Sequence, residues 1–201
     1  MSALSLPLME SFYTIQGEGA FTGHAAYFLR LGGCDVGCVW CDVKESWDVS
    51  RHPLRSVEAM VAESHASGTQ IVVITGGEPA MHDLSELTQA LQKSGMRTHI
   101  ETSGAYPLTG VWNWVCLSPK KFKAPVQEVY AQANELKIIV YNRTDLDWAL
   151  QEALRVPSTC RLFLQPEWSR EKEMLPLIID FIKMNPRWQI SLQTHKYMNI
   201  P

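Results

Sequence analysis

The sequence predicts an α/β domain built on an open, abbreviated TIM-like barrel. Short apolar runs alternate with amphipathic segments along the 201 residues, which is the pattern of βα units around a parallel sheet. The clearest strand is 70–75, a β-branched run of the kind that is buried on both faces. About six such strands are too few for a closed eight-stranded barrel. We therefore expect one partial (β/α) barrel that takes up residues 1–201 as a single domain.

The predicted strands share a short core of apolar, often β-branched residues. They are 70–75, 98–101, 114–117, 136–140, 161–164 and 188–192. The predicted helices carry apolar residues at helical spacing. They are 56–64, 84–93, 145–154 and 172–184. Ser56 is a suitable N-cap for the first helix, because its hydroxyl can accept from the open N–H groups.

Composition argues against several classes of protein. A formal net charge of −3 gives no broad basic surface, so no nucleic-acid partner is expected. The first residues lack a charged and apolar leader, and no run reaches the roughly 18 apolar residues of a membrane span. Five cysteines, three of them clustered, fit a reducing compartment. We expect a cytoplasmic protein without a membrane partner.

Three cysteines form a C-x3-C-x2-C array at Cys34, Cys38 and Cys41. Three thiolates can hold a four-iron cluster and leave one iron open for another ligand. Zinc is disfavoured because no second cysteine pair completes a tetrahedral set. Trp40 would shield such a cluster from solvent. Three reduced structural thiols are the alternative.

Polar residues follow the carboxyl ends of the predicted strands, where parallel α/β folds bind ligands. They lie at 75–78, 101–103, 118–120, 165–166 and 193–195. Gly76 and Gly77 permit a sharp turn and a close approach to a ligand, although a simple bend uses the same residues. Ordinary turn chemistry is likewise an alternative for Ser103 and Ser118.

The two ends of the chain add groups suited to a heterocyclic acid. Gln16 and Glu18 could read the N–H edge of a guanidine-like ring such as a pterin, or could form a solvated turn. Arg30, if buried, needs an anion, either a substrate carboxylate or a structural Asp or Glu. His195 by itself is typical of a packed or surface histidine. The carboxylate of Pro201 is expected at the barrel mouth.

Taken in order, these motifs resemble one family across nearly the whole chain. They lie at 16–19, 28–30, 34–42, 75–79, 101–104, 118–120, 165–166 and 193–196. The cysteine array resembles the signature of the radical S-adenosylmethionine (radical SAM) enzymes, and the full set resembles the 7-carboxy-7-deazaguanine synthases. The resemblance implies a homodimeric lyase with a partial barrel of the radical SAM type. It also implies conversion of 6-carboxy-5,6,7,8-tetrahydropterin to 7-carboxy-7-deazaguanine, with loss of ammonia, in queuosine or other 7-deazapurine biosynthesis.

The resemblance assigns roles to the matching residues. The [4Fe–4S] cluster would bind to Cys34, Cys38 and Cys41. The residues that would face SAM are Trp40, Gly77, Ser103, Ser118, Pro119, Lys120, Gln165 and Pro166. The residues that would face the pterin are Ile15, Gln16, Gly17, Glu18, Arg30, Thr75, Glu101, His195 and Pro201. No side chain is expected to be catalytic by itself, because the cofactors carry the radical chemistry.

One departure from the family pattern concerns Mg²⁺, which the resemblance implies as a further cofactor. Many members have a threonine after Cys-Asp, and its oxygen binds the ion. This chain has Val43 there, and valine cannot coordinate a hard cation. Either Asp42, water and substrate hold the ion, or the enzyme depends on it less. The resemblance also implies a flavodoxin- or ferredoxin-type reductant.

Two other functions compete with this interpretation. A glycyl-radical-enzyme activase has the same cysteine array but acts on a partner protein, and it needs neither the Gln-Gly-Glu segment nor a terminal carboxylate. A non-enzymatic iron–sulfur electron carrier normally has four protein ligands and no SAM pocket.

Overall fold

One open sheet of nine strands organises the molecule in the computed structural model, which describes residues 4–201. The strands are β1 (Ser5–Ile15), β2 (Ala25–Leu31), β3 (Leu54–Ser56), β4 (Ile71–Gly76), β5 (Arg97–Thr102), β6 (Trp114–Leu117), β7 (Glu135–Val140), β8 (Arg161–Pro166) and β9 (Trp188–Ile190). Their spatial order is β3-β1-β2-β4-β5-β6-β7-β8-β9.

Seven of these strands, β2 and β4 to β9, are joined by parallel pairing. The parallel run does not close on itself, which confirms the predicted α/β fold of an open partial barrel. The sequence did not predict β1 or β3, which pair antiparallel at one edge. A register shift between Leu8 and Glu10 explains why β1 lacks a clean period of two, because such a bulge changes which side chains face inward.

Helices connect the parallel strands except between β5 and β6, and one further helix follows β9. They are α1 (Val57–Ala66), α2 (Ser85–Lys93), α3 (Gln127–Gln132), α4 (Thr144–Ala153), α5 (Glu171–Met184) and α6 (Thr194–Met198). The four predicted helices are confirmed, and Ser56 caps α1 by accepting from the Ala59 N–H at 3.2 Å. The short α3 and α6 were not predicted, since five or six residues are too few to display a helical period. Within residues 4–201, no helix is long and apolar enough to cross a membrane.

Alternation along the strands separates an apolar outer layer from a polar interior. Leu136 and Ile138 of β7 are fully buried in the apolar core that also contains Ile178 of α5. Between them, Lys137 faces the opposite side, where it contacts two carboxylates. Cys160 is buried in the same apolar core as a free thiol. The sheet therefore places apolar residues under the helices and polar residues inside the barrel.

Candidate active site

A cavity of about 290 Å³ opens at the carboxyl ends of the parallel strands. Residues at the ends of β4, β5 and β8 line it, together with the loops that follow β1 and β2. Every site residue predicted from the sequence lines this cavity except Pro119, which is buried beside it. The tertiary structure thus brings segments from both ends of the chain into one site.

The loop after β2 carries the three cysteines. Cys34 is fixed by its N–H, which donates to the Trp47 carbonyl at 3.2 Å, and the Cys41 N–H donates to the Cys38 carbonyl at 3.1 Å. All three thiols are free and line the cavity. Trp40 packs in the same apolar group as the three cysteines, which supports its predicted role in shielding them.

These thiols suit an iron–sulfur cluster better than a single metal ion. Burial, with smaller contributions from the neighbouring Cys41 and Cys34, raises the pKa of Cys38 to about 11, although Lys120 opposes the shift. The three sulfurs are therefore close enough to interact. In residues 4–201, no three Cys, His, Asp or Glu side chains converge on one ion. A cubane distributes its thiolates over separate irons, so three thiols on one loop fit it.

Gly76 and Gly77 pack the end of β4 against the cysteine loop. A Cβ on Gly76, where φ is +150°, would lie 2.1 Å from the Leu31 carbonyl oxygen. A Cβ on Gly77 would lie 2.4 Å from the Gly33 carbonyl oxygen and 2.6 Å from Cβ of Cys34. The sequence predicted that these glycines allow a close approach of the backbone to a ligand. In the structure, they allow β4 to approach the backbone of the cysteine loop.

Glu78 is a buried carboxylate that joins two strand ends. It accepts from the Thr102 hydroxyl at 2.5 Å, from the Ser103 N–H at 2.7 Å and from the Ala80 N–H at 3.0 Å. The Ser103 hydroxyl also donates to it. Sequence reasoning did not identify this structural role of Glu78, which holds the end of β5 beside the glycine turn. The sequence did contain a signal for this role, because Glu78 is a single carboxylate that comes directly after the most apolar strand.

Lys120 extends a cation into the cavity between the cysteines and β6. Its ammonium donates to the carbonyl and the hydroxyl of Ser118 at 2.5 and 2.7 Å. Burial lowers the pKa of Lys120, and Cys38 opposes that shift. None of the ion pairs within residues 4–201 includes this side chain. A part-buried cation with only neutral oxygens around it is suited to an anionic ligand.

At the other end of the cavity, five polar side chains form what we call the polar ring. Its centre is Lys137, whose ammonium lies 2.6 Å from Oε2 of Glu18 and 2.8 Å from Oε2 of Glu101. Each carboxylate is also bound through Oε1 by an amide, Glu18 by Gln193 at 3.0 Å and Glu101 by Gln16 at 3.3 Å. The ring therefore satisfies all four carboxylate oxygens.

The charges of the polar ring stabilise one another. Burial alone raises the pKa of Glu18, but the Lys137 charge and hydrogen bonds from Lys137 and Gln193 outweigh it and hold that pKa at about 2. Burial lowers the pKa of Lys137, but nearby Cys116, Glu101 and Glu18 raise it well above its ordinary value. Both members of the pair are thus charged at neutral pH.

Sequence reasoning missed Lys137, although it predicted the strand that carries it. A usable signal was present, since a lysine inside the apolar run 136–140 is buried only when it is paired. The sequence could not identify the partners, because Glu18 and Glu101 are distant in the chain.

The remaining predicted substrate residues surround the mouth of the cavity. Arg30 already has a protein partner, Glu10, at 2.6 Å, which favours the structural alternative for at least one of its N–H groups. His195 packs over Gly17, where an added Cβ would lie 2.3 Å from Nδ1. The backbone oxygen of Pro201 accepts from the Thr14 hydroxyl at 3.3 Å, so this residue lies at the cavity.

Asp42 and Val43 also line the cavity. The carboxylate of Asp42 lies 3.1 Å from the ammonium of Lys196, and that ammonium also donates to Gln193 at 3.0 Å. An oxygen donor is therefore present beside Val43, but a lysine neutralises it.

Comparisons with known proteins agree with this site. The family model for the radical SAM superfamily matches residues 29–112. A 7-carboxy-7-deazaguanine synthase of Flavobacterium psychrophilum is 56% identical over 98% of this chain and 93% of the relative. The synthase of Escherichia coli is 38% identical over 98% of this chain and 100% of the relative. The crystal structure of QueE from Escherichia coli superimposes with a TM-score of 0.83, at 32% identity, over 94% of this chain and 93% of that one.

Proposed function

This chain belongs to the 7-carboxy-7-deazaguanine synthases, radical SAM enzymes of queuosine biosynthesis, and from that premise we propose how its cavity performs the reaction. The reaction converts 6-carboxy-5,6,7,8-tetrahydropterin into 7-carboxy-7-deazaguanine and releases ammonia. The observation that carries the assignment to this cavity is that three free thiols, a lysine without an ion-pair partner in residues 4–201 and the polar ring line a single space.

Cys34, Cys38 and Cys41 would hold the [4Fe–4S] cluster through their thiolates. When bound, the cluster and SAM would supply the one-electron radical chemistry that acts on the pterin. The polypeptide's part is to place the two ligands in contact and to keep water away. Trp40 and the stacked pair Phe12 and Phe28, with ring centroids 5.3 Å apart, are suited to the second task.

Lys120 would bind the methionine carboxylate of SAM, because it is a cavity-lining cation that meets no carboxylate partner among residues 4–201. Ser118 would orient that ammonium and contribute a hydroxyl. Ser103 would offer the sugar an acceptor, since its own proton is given to Glu78. Gln165 is oriented by the Ser191 hydroxyl, which donates to its Oε1 at 2.7 Å.

The pterin would bind at the polar ring. Glu18 and Glu101 supply acceptors for the amino and amide N–H groups of the ring. His195 and Arg30 would contact the carboxylate of the substrate, and the α-carboxylate of Pro201 would close the mouth of the cavity. Radical chemistry needs no general base for hydrogen abstraction, so the roles of these residues are binding and orientation.

The finer expectations from the family are also proposals. We propose a homodimer, a flavodoxin- or ferredoxin-type electron donor and a cytoplasmic location, which the free cysteines support. We further propose that Mg²⁺ stimulates this enzyme weakly, because Val43 offers no oxygen and Asp42 is paired with Lys196.

The proposal is tested with anaerobically reconstituted protein, dithionite, SAM and the carboxytetrahydropterin. Mass spectrometry should detect 7-carboxy-7-deazaguanine only when SAM is present. In the same preparation, SAM should change the EPR spectrum of the reduced cluster, which a simple electron carrier would not show. Absence of product from a preparation with a full cluster would contradict the function.

Deletion of Pro201 separates this function from the activase alternative. Removing this cavity-lining residue should lower turnover of the pterin by about tenfold or more. Pro201→Ala is the matched control, because it keeps the backbone oxygen at the same position. A glycyl-radical activase would be indifferent to both changes.

A further inference from the structure

Lys137 has no role in the chemistry described so far, yet it is a buried cation beside the cavity. Its side chain is 4% exposed, whereas Glu18 and Glu101 are 18% and 22% exposed. A lysine that is buried in the middle of a strand loses its hydration, and paired carboxylates must replace it. The two acids therefore fix Lys137, and Lys137 equally fixes the two acids.

The hydrogen bonds of the polar ring differ in strength. Lys137 binds Oε2 of each carboxylate at 2.6 and 2.8 Å, which are distances of charge-assisted bonds. The amides of Gln193 and Gln16 bind the two Oε1 atoms at 3.0 and 3.3 Å, as neutral donors. A ligand can displace the amides more readily than the ammonium, so the Oε1 atoms are the exchangeable acceptors.

We propose that Lys137 is a positioning residue, which holds Glu18 and Glu101 so that both accept hydrogen bonds from the N–H edge of a 2-amino-4-oxopyrimidine ring. This inference rests on the proposed function, since it specifies how the pterin is selected. Without the cation, two adjacent carboxylates would repel each other and turn apart or take up a proton. A protonated or rotated carboxyl no longer presents the acceptor that the ring requires.

The arrangement makes the 2-amino group the determinant of specificity. A pterin presents N–H donors at position 2 and at the adjacent ring nitrogen, facing two acceptors. A lumazine has a carbonyl oxygen at position 2, which would face a carboxylate and leave it without a donor. A site built from buried acceptors rejects such an analogue strongly.

The test is equilibrium binding of 6-carboxypterin and 6-carboxylumazine, followed by ligand fluorescence with the reconstituted protein and SAM. Wild type should prefer the pterin by about 10- to 100-fold. Lys137→Met should weaken pterin binding by a similar factor and change lumazine binding less than about threefold, so the preference disappears. Lys137→Arg keeps the cation and should keep a preference for the pterin.

Two further variants separate positioning from general damage. Glu135 of β7 is another buried carboxylate, which accepts from the Ala20 N–H and the Trp114 Nε1–H and not from the polar ring. Lys137→Met/Glu135→Gln therefore removes a buried negative charge along with the cation and leaves Glu18 and Glu101 in place, and it should recover thermal stability but not the pterin preference. Arg155→Met removes the cation beside buried Glu152, outside the cavity, and should keep the full preference.

The outcomes are distinguishable. If wild type binds neither ligand, the proposed function fails, and this inference fails with it. If wild type prefers the pterin and Lys137→Met does so equally, only the role of Lys137 is overturned. Return of the pterin preference in the double variant would also overturn the role of Lys137. The total charge of the site, and not the position of Glu18 and Glu101, would then decide the preference.

Discussion

The two ends of the cavity satisfy their charges in opposite ways. At the cysteine end, three free thiols and the ammonium of Lys120 have no counter-charge among the protein groups that contact them. At the polar ring, the ammonium of Lys137 lies between two carboxylates and every carboxylate oxygen is bound. The cysteine end is thus complementary to charged ligands, namely a cluster and a zwitterionic sulfonium. The polar ring is complementary to a neutral ring that needs oriented acceptors.

This difference explains where binding free energy is expected to come from. Ligands at the cysteine end supply the missing partners, so loss of a protein group there removes a direct bond to the ligand. The polar ring is already stabilised in the free protein, so changes there affect both folding and recognition. The following predictions test each part of that contrast.

The largest effect is expected from Cys38→Ser. A hydroxyl does not replace a thiolate on iron, so the variant should lose the cluster and at least about 10³-fold in turnover. Iron content and visible absorbance after anaerobic reconstitution are the measurements. Cys160→Ser, at a free thiol in the apolar core, should keep its cluster. A fully assembled and active cluster in the Cys38 variant would show that Cys38 is not a cluster ligand.

A smaller loss is expected from Lys120→Met. The variant removes the proposed partner of the SAM carboxylate and should raise the Kd for SAM by about 10- to 100-fold, with the cluster intact. Titration of the SAM-dependent EPR change measures it. Lys121→Met is the control, because that lysine pairs with Asp145 and does not line the cavity. Equal affinity in the two variants would show that Lys120 does not bind the carboxylate.

His99 allows the buried polar interior behind the polar ring to be tested by pH. Its Nε2 has no partner within residues 4–201, and burial, with the Arg97 charge, lowers its pKa to about 4. The unfolded chain therefore binds a proton more tightly, so stability is complete above pH 6.5 and falls as the pH drops toward 4. The loss should be on the order of 2 kcal/mol in the free energy of unfolding.

His99→Phe should flatten this part of the stability profile, measured by urea denaturation between pH 4 and 7. The phenyl ring can pack against Phe21 as the imidazole does, at a centroid distance of 4.5 Å. Burial also lowers the pKa of His195, so the difference between the two proteins is the relevant quantity. Parallel profiles would mean that His99 is not the titrating group.

The smallest effect is expected at Val43. Val43→Thr supplies an oxygen beside Asp42 and should increase the stimulation of turnover by Mg²⁺ about two- to fivefold. The measurement is the rate before and after chelation in both proteins. A comparable loss of rate on chelation in wild type and variant would refute the idea that valine weakens the dependence on the ion.

Local sequence determined much of this protein. The buried strand 71–76 and the amphipathic helices follow from residue periodicity, and the cysteine spacing determines which thiols share a loop. The polar residues at strand ends were also predictable, because parallel strands bring their carboxyl ends together. These features depend on neighbours in the chain, which the sequence displays directly.

Only the tertiary structure decided the partners. Glu18 and Lys137 lie 119 positions apart, and Gln193 reaches Glu18 from the other end of the chain. Burial cost is the physical reason that these contacts matter, since a charge removed from water needs a counter-charge wherever the fold supplies one. Periodicity predicted that position 137 belongs to a buried strand, but the curvature of the sheet determined which carboxylates would meet its lysine.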